Sequence, residues 1–459
     1  MGILGLQGSL LYAQGYQAIN GSPYAGSTGI FNNPAASIGS AYKWDLTLFS
    51  TQLKLSSHSF YLKDFSLSNN DTSRLTIQDG YSSHFMHSNF DVGLFNFLYK
   101  IDNKKAFSVG VRGRTYNHIK IQPFNFVDSS VKSLHSFLVA NRNTAYIEGF
   151  VTHAGWLEAD LNYSQVLVET NTSKLSGGIT LQIMRGISGA FVKINKVSYL
   201  EEKNGTDTAY TLTNGSGSFG YSDNYDQVGV KSFLKNTNTS FGLSLGIEYL
   251  VYNAEINNEV NNNLNYNWKL GVSLMDIGAN SFKPSQYSSQ YYAPNTALSD
   301  ATMDRKLNGA ANIRDFRDSL NTIFTTNSAI TDNFTISMPA RLIINIDKNL
   351  GNHLYVNGEL SMNFYSTSGY TRLRTTELNL LTITPRFETI GFGAYLPVQY
   401  NTQGQFWMGA ALKLGPLVLG IHNLGIFRKE PTINGGGYLL LSIHPFSKRK
   451  IYSKLDCPE

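Results

Sequence analysis

The chain has 459 residues and a formal net charge of +5, with 15% charged and 13% aromatic residues. Soluble domains carry about 25% charged residues, and a membrane-spanning helix needs about 20 consecutive apolar residues, a run that the sequence lacks after its N-terminus. Few charges, many aromatics and no apolar helix predict a closed β-barrel wall in which alternate residues face a membrane. The one cysteine, Cys457, excludes an intrachain disulfide and a CxxC metal or redox site.

The N-terminus has the pattern of a secretory signal over residues 1–13. A moderately apolar stretch ends in Leu10-Leu11-Tyr12-Ala13, which predicts cleavage after Ala13. No basic residue precedes the stretch, so a start upstream of Met1 is left open. The alternative interpretation is an ordinary buried N-terminal segment.

From residue 43 onward, apolar and polar residues alternate with period two. Phe241, Leu245 and Ile247, for example, alternate with small or polar residues. A soluble sandwich shows the same alternation, but these segments run about 10 to 14 residues, whereas globular strands average about 5 to 6. Transmembrane strands need about 9 to 11. Strands are predicted near 43–55, 88–100, 104–118, 155–168, 176–190, 238–253, 264–277, 333–347, 353–366, 378–385, 390–400, 405–414, 417–424 and 434–446.

These segments predict an all-β, up-and-down antiparallel transmembrane barrel of about fourteen strands over residues 43–446. Short and long connections alternate along the chain, with 401–404 as the one short exception among the long ones. Periplasmic turns and extracellular loops alternate in this way in outer-membrane barrels. The connection 278–332 is too long for a simple link and is expected to carry specificity. Residues 447–459 form a polar periplasmic tail. Its basic run, 448–450, is interpreted as solvated and not as a nucleic-acid site.

Two of the long connections carry helical periodicity. Ile313, Phe316, Leu320 and Ile323 predict an amphipathic helix, and residues 131–138 predict a shorter one. We expect both to pack on the mouth of the barrel or at the edge of the outer leaflet. A partner-binding helix is the alternative.

Two pairs of opposite charges fall on the polar, lumen-facing side of neighbouring strands. A hairpin centred on residue 350 places Arg341 opposite Glu359, and the connection 254–263 places Glu248 near Lys269. We interpret both as cross-strand pairs that stabilise a filled lumen, since opposite charges cancel and leave little selectivity. A charged constriction for solutes is the alternative. The same register predicts an outward-facing apolar set: Phe334, Ile336, Met338, Ala340, Leu342 and Ile344.

The segment Gly26-Ser27-Thr28-Gly29-Ile30-Phe31-Asn32-Asn33-Pro34-Ala35-Ala36 resembles the small-residue stretch before the first strand of the long-chain fatty-acid transporter superfamily. The resemblance implies fourteen strands and an N-terminal segment folded into the lumen as a hatch. Residues 14–42 are expected to form this hatch, anchored by Asn33, Pro34 and Ala35. Asn33-Pro34 makes a rigid turn, and small residues let the backbone pass through a crowded lumen.

The C-terminal third, with 409–416 and 420–424, resembles outer-membrane barrels of Bacteroidota. That phylum includes secretion barrels of the same architecture, such as the shuttle barrel of the type nine system. The resemblance implies a fold and no substrate residues, because one barrel fold serves many functions.

No catalytic constellation is present in the sequence. There is no HExxH, P-loop or GxSxG motif, so we predict neither an enzyme nor a cofactor. His84 and His87 have a spacing that suits metal ligands on a helix. No carboxylate or cysteine lies in register with them, and no metal site is predicted.

The sequence therefore predicts a bacterial outer-membrane barrel for transport or translocation. It would either take up a hydrophobic or small solute or assist protein secretion. The alternative is a structural or adhesive surface protein whose loops bind partners. Expected partners are outer-membrane lipid and lipopolysaccharide, with a hydrophobic ligand or a secretion or surface protein as further candidates.

Overall fold

The computed structural model describes residues 17–63, 74–77, 79–126, 133–204, 207–227, 230–253, 263–364, 372–427 and 434–445. The predicted signal and the C-terminal tail lie outside these ranges. No helix in the described ranges has the length and apolarity needed to cross a membrane. The strands are β1 (Trp44–Ser57), β2 (Phe60–Lys63), β3 (Arg74–Ile77), β4 (Gly80–Lys100), β5 (Lys105–Phe126), β6 (Ile147–Glu169), β7 (Ser173–Asn204), β8 (Asp207–Tyr221), β9 (Thr239–Tyr252), β10 (Tyr266–Phe282), β11 (Ser289–Pro294), β12 (Phe324–Ala329), β13 (Phe334–Ser337), β14 (Arg341–Gly351), β15 (Leu354–Asn363), β16 (Leu380–Glu388), β17 (Phe392–Tyr395), β18 (Val398–Asn401), β19 (Phe406–Met408), β20 (Ala410–Leu414), β21 (Leu417–Ile421) and β22 (Gly437–Ile443).

The helices are short. They are α1 (Ala36–Gly39), α2 (Leu134–Ala140), α3 (Val230–Lys235), α4 (Asp300–Asn308) and α5 (Ile313–Ile323), with 3-10 turns at Gln17–Ile19, Pro23–Phe31, Asp223–Asp226 and Leu424–Phe427. Both predicted loop helices are confirmed, as α5 and α2.

The barrel is a closed antiparallel sheet of fourteen wall segments, here called staves, as predicted. Each stave pairs with the next along the chain, and β1 pairs with both β4 and β22, so no edge is left open. Three staves are interrupted and consist of two strands each: β13 with β14, β17 with β18, and β19 with β20. Because the barrel is closed, each wall strand has a hydrogen-bonding neighbour on both sides, as a membrane-spanning sheet requires.

Side chains alternate between the outside of the barrel and its lumen. On β9, Phe241 and Ile247 are 63% and 50% exposed on the outer face, whereas Ser244 and Glu248 are buried inside. The odd positions of 241–249 therefore face outward, as predicted. The result is an apolar outer belt around a polar lumen.

The outward-facing set predicted for 334–344 is wrong for its first four residues. Phe334, Ile336, Met338 and Ala340 are buried in the lumen, and only the residues from Leu342 onward keep the predicted orientation. The facing β10 carries a bulge at Asp276, whose φ is +56°. The left-handed residue turns two consecutive side chains of β10 into the lumen. From this level on, the alternation of inward-facing and outward-facing residues is shifted by one position.

The predicted pairing of Arg341 with Glu359 is also wrong. Arg341 pairs with Asn363, and Glu359 pairs with Asn345. The hairpin closes at Asn352 and His353, whose φ values are 50° and 65°. A two-residue turn with both central residues left-handed matches the twist of the strands, so the turn lies about two residues later than predicted.

The end of the barrel opposite the short turns, here called the cap end, carries an additional folded layer. β7 runs beyond the barrel wall and pairs there with β8, which pairs with β11 and, through it, with β12. α4 and α5 pack against this sheet: Met303 of α4 belongs to a buried cluster around Phe219 and Tyr291, and Phe316 of α5 contacts that cluster. The connection 278–332 is therefore a folded part of the cap.

The described part of the N-terminal segment lies inside the barrel. Residues 18–42 are almost entirely buried and lie against the inner faces of β1, β5, β6 and β7. The predicted location in the lumen is confirmed for residues 18–42, and residues 14–16 of the predicted segment lie outside the described ranges. We call residues 18–42 the hatch.

Candidate functional site: a plugged lumen with an outer vestibule

The hatch is seated against glycines of the barrel wall. A Cβ atom at Gly246 would overlap the Asn33 side chain, and one at Gly178 would overlap the Pro34 carbonyl group. The Asn33 Nδ2 donates to the Ile247 carbonyl (2.9 Å). The turn 33–35 thus lies directly on the wall, where only residues without a side chain leave room for it.

Uncharged side chains of the hatch donate hydrogen bonds to buried acidic residues of the wall. Asn20 and Asn32 donate to Glu359 Oε2 at 2.9 and 2.8 Å, and Ser22 donates to Glu388 (2.6 Å). Glu359 is 3% exposed and forms no ion pair with a described residue. Its charge therefore depends on the two hatch amides for compensation.

The second predicted pair lies beneath the hatch. Lys269 Nζ is 3.9 Å from Glu248 Oε2, although the ladder places Glu248 opposite Gly271. A Cβ atom at Gly39 of the hatch would lie 2.5 Å from Glu248 Oε1. The pair thus forms part of the surface on which the hatch rests, and its role in stability stays a prediction.

Above the hatch, a buried layer of charges crosses the lumen. Ion pairs join Arg114 to Asp276 (2.8 Å), Arg112 to Asp160 (3.2 Å) and Lys54 to Glu377 (3.5 Å). Such a layer is stable only when nearly every charge is paired. Its members are the cations Lys54, Arg112, Arg114 and Arg341 and the anions Asp91, Glu158, Asp160, Asp276 and Glu377.

The bulge in β10 supplies the centre of this layer. Asp276 accepts two hydrogen bonds from the Arg114 guanidinium, at 2.8 and 2.9 Å, and both side chains are 1% exposed. Without the bulge, strict alternation would point residue 276 outward. Sequence reasoning missed Asp276 for that reason; the available signal was the loss of alternation at Met275-Asp276.

Little free volume remains at this level of the lumen. The cavity between the hatch and the charged layer has about 60 Å³ and is lined by Asn20, Asn32, Arg112 and Glu377 among others. One ordered water needs about 10–15 Å³ of such volume. The cavity holds a few waters and no larger solute.

An apolar cluster fills the lumen toward the cap end. Phe334 packs edge-on against Phe191 (5.2 Å between ring centroids) and stacks with Phe282 (5.5 Å). Tyr116 and Trp156 stack at 5.4 Å, and Arg114 donates to the Tyr116 hydroxyl (2.6 Å). The cluster therefore lies directly on the charged layer. Its buried members are Tyr116, Ala154, Trp156, Met184, Phe191, Phe282, Phe334, Ile336 and Met338.

A vestibule opens from this cluster toward the cap. It is a cavity of about 390 Å³ whose walls include Phe191, Phe334, Ile330 and Leu373, with Lys193 and several amide and hydroxyl groups beside them. Small-molecule sites in proteins typically have about 300–1,000 Å³ and pair apolar walls with a few polar groups. The vestibule has the volume of such a site, and its apolar side chains lie among a larger number of polar ones.

His84 and His87 lie on strand β4 and not on a helix. His84 stacks on Phe124 (3.7 Å), and His87 is buried beside Tyr116 and His118. In the described ranges, no group of three histidine, cysteine or acidic side chains is arranged to hold a metal ion.

The fold has distant counterparts among solved structures. A Pseudomonas aeruginosa FadL homologue aligns over 94% of this chain and 98% of its own, with 11% identity and a TM-score of 0.42. The deltaS2S3 mutant of TodX, a monoaromatic hydrocarbon channel, aligns over 94% and 98%, with 9% identity and a TM-score of 0.44. Both TM-scores are low, and the strand pairing of the chain itself defines its architecture.

No curated protein sequence matches the chain significantly. A family model does match, over residues 34–421, from the hatch turn to the last residue of β21. Because this match covers most of the chain, the protein belongs to the family of unknown function DUF5723.

Proposed function

We propose that the protein is an outer-membrane transport barrel that admits a small hydrophobic solute at the cell surface and is closed at rest by its hatch. The observation that carries the proposal is the continuity of the vestibule with the apolar cluster inside the barrel, through Phe191 and Phe334. An apolar solute in the vestibule would contact the rings of Phe191 and Phe334, which belong both to the vestibule and to the cluster. The cap end then faces the exterior, and the short turns face the periplasm.

The charged layer and the hatch determine where such a solute could leave. Continuing down the axis would force an apolar molecule past Arg114, Asp276 and Glu377 and then past the hatch. Desolvating these groups is costly. Passage therefore requires either movement of the hatch or an exit through the wall above the charged layer.

A fluorescent apolar probe, N-phenyl-1-naphthylamine, tests the binding step on the protein in detergent. We expect saturable binding that is about tenfold weaker in Phe334→Ala, since removing a buried aromatic face from a pocket costs at least about 1.4 kcal/mol. Phe241→Ala is the matched control, because Phe241 lies on the outer face of β9. Equal affinity in wild type and both variants would place the binding site elsewhere.

Conductance in a planar bilayer tests the hatch. A chain that begins at residue 43 loses the whole hatch and should conduct ions that the full chain excludes. Unchanged, negligible conductance would show that other side chains close the lumen.

The sequence also suggested an accessory role in protein secretion in a Bacteroidota outer membrane. The lumen cavity of about 60 Å³ admits neither a polypeptide nor a solute at rest, so solute uptake is favoured over this role by the vestibule of about 390 Å³, which has the size of a small-molecule site. A secretion role would then depend on partner binding at the cap. Copurification of secretion components with the full chain would support it.

A further inference from the structure

A second concave site lies at the cap end, over the tips of β4, β5 and β6. It has about 730 Å³ and shares no lining residue with the vestibule. Tyr81 of β4 pairs with Asn125 of β5 at its edge, and the chain that links α2 to β6 supplies the opposite side. Its volume falls within the range of about 300–1,000 Å³ that is typical of small-molecule sites.

The floor of this pocket is held in place by amide hydrogen bonds. Asn141, which is 2% exposed, accepts from the Asn125 backbone N–H (2.6 Å) and donates to the carbonyl groups of Asn125 and Phe137 (both 2.9 Å). Tyr199 donates its hydroxyl proton to the Asn141 carbonyl (2.6 Å). These bonds join β5, α2 and β7, so the pocket is formed before a ligand arrives.

The rim carries polar and aromatic groups that the protein leaves available. Tyr81 is 69% exposed, and Asn143 is exposed on the connection after α2. Neither side chain makes a hydrogen bond with another described residue. Tyr146 and Glu148 complete the rim at the start of β6.

The chemistry of the lining selects the ligand class. Glu148 is its one charged side chain among the described residues, and the remaining polar groups are mainly amides such as Gln122 and Asn143. An anionic ligand would find no cation in the lining, and an apolar one would cover the Asn143 amide and the Glu148 carboxylate without replacing their hydrogen bonds to water, which costs free energy. A sugar ring offers an apolar C–H face for a tyrosine and hydroxyl groups for amides and a carboxylate. We propose that this pocket binds a neutral saccharide.

Neutral saccharides reach a cell surface either as soluble oligosaccharides or as chains attached to the surface itself. The full chain in detergent is therefore applied to an array of neutral and acidic oligosaccharides, and separately to lipopolysaccharide with and without its O-chain. Binding to array members supports a soluble ligand. Binding only to lipopolysaccharide that carries the O-chain supports an attached one.

Point variants link either signal to the pocket. Tyr81→Ala and Glu148→Gln should each weaken binding at least tenfold, because they remove the stacking face and the carboxylate acceptor. Tyr225→Ala is the matched control, since Tyr225 is 56% exposed outside this pocket. Phe334→Ala should leave saccharide binding unchanged, which separates this proposal from solute uptake.

Three results would overturn the proposal. They are the absence of binding to any neutral saccharide, a preference for acidic glycans, and undiminished binding in both rim variants. Heat-modifiable migration on gels confirms that each variant is a folded barrel before it is tested.

Discussion

The Arg114–Asp276 pair offers the sharpest test of the charged layer. Replacing Asp276 with Asn preserves the side-chain shape and suits the left-handed backbone, since Asn tolerates a φ of +56°. The change removes a charge from a pair in which both side chains are 1% exposed. Breaking one side of a buried pair costs about 3–5 kcal/mol.

The remaining anions place the expected cost at the lower end of that range. Glu158 Oε1 and Asp91 Oδ1 stay 3.6 and 3.8 Å from the Arg114 guanidinium, so Arg114 keeps part of its compensation. We expect Asp276→Asn to lower the free energy of unfolding by about 3 kcal/mol.

Reversible urea unfolding in lipid vesicles, followed by tryptophan fluorescence, measures this value. Asp318→Asn is the matched control, because Asp318 is 54% exposed and pairs with Arg317 at 2.9 Å; exposed pairs contribute about 0–1 kcal/mol. If Asp276→Asn were no more destabilising than Asp318→Asn, the charged layer would not be held together as described.

Three further predictions concern the wall, the hatch and the register. Leu245→Arg on the outer face should cost about 2–4 kcal/mol of barrel stability in vesicles, and a wild-type chain that stays soluble and monomeric without detergent would refute the membrane location. Gly246→Val should displace the hatch turn and raise bilayer conductance above that of the full wild-type chain; equal conductance would show that the hatch tolerates the side chain. Cysteines at 345 and 359 should form a crosslink with a short reagent, whereas cysteines at 341 and 359 should not, and the reverse outcome would restore the hairpin centred on residue 350.

Much of the barrel was predictable from the sequence, because strand alternation is a local property. Each wall strand must present apolar side chains to lipid at every second position, so the pattern of Phe241, Leu245 and Ile247 is visible in the chain itself. The length of each alternating segment and the alternation of short and long connections then predict the number of staves. The hatch was suggested by a short resemblance and by its small residues.

Register and phase were not predictable in the same way. A single left-handed residue, Asp276, reverses the two faces of β10 and of the strand beside it, and the sequence marks that level only by the loss of alternation at Met275-Asp276. The turn at Asn352 and His353 moves every pair in its hairpin, so Arg341 and Glu359 separate although both face the lumen.

The contacts that close the lumen depend on residues distant in the chain. Gly246 and Gly178 matter because Asn33 and Pro34 lie against them, and Glu359 matters because two hatch amides reach it. Strand alternation is set by neighbours along the chain and is therefore written in the sequence. Which side chains meet across the lumen is set by the closure of the whole barrel around the hatch, and only the tertiary structure decides it.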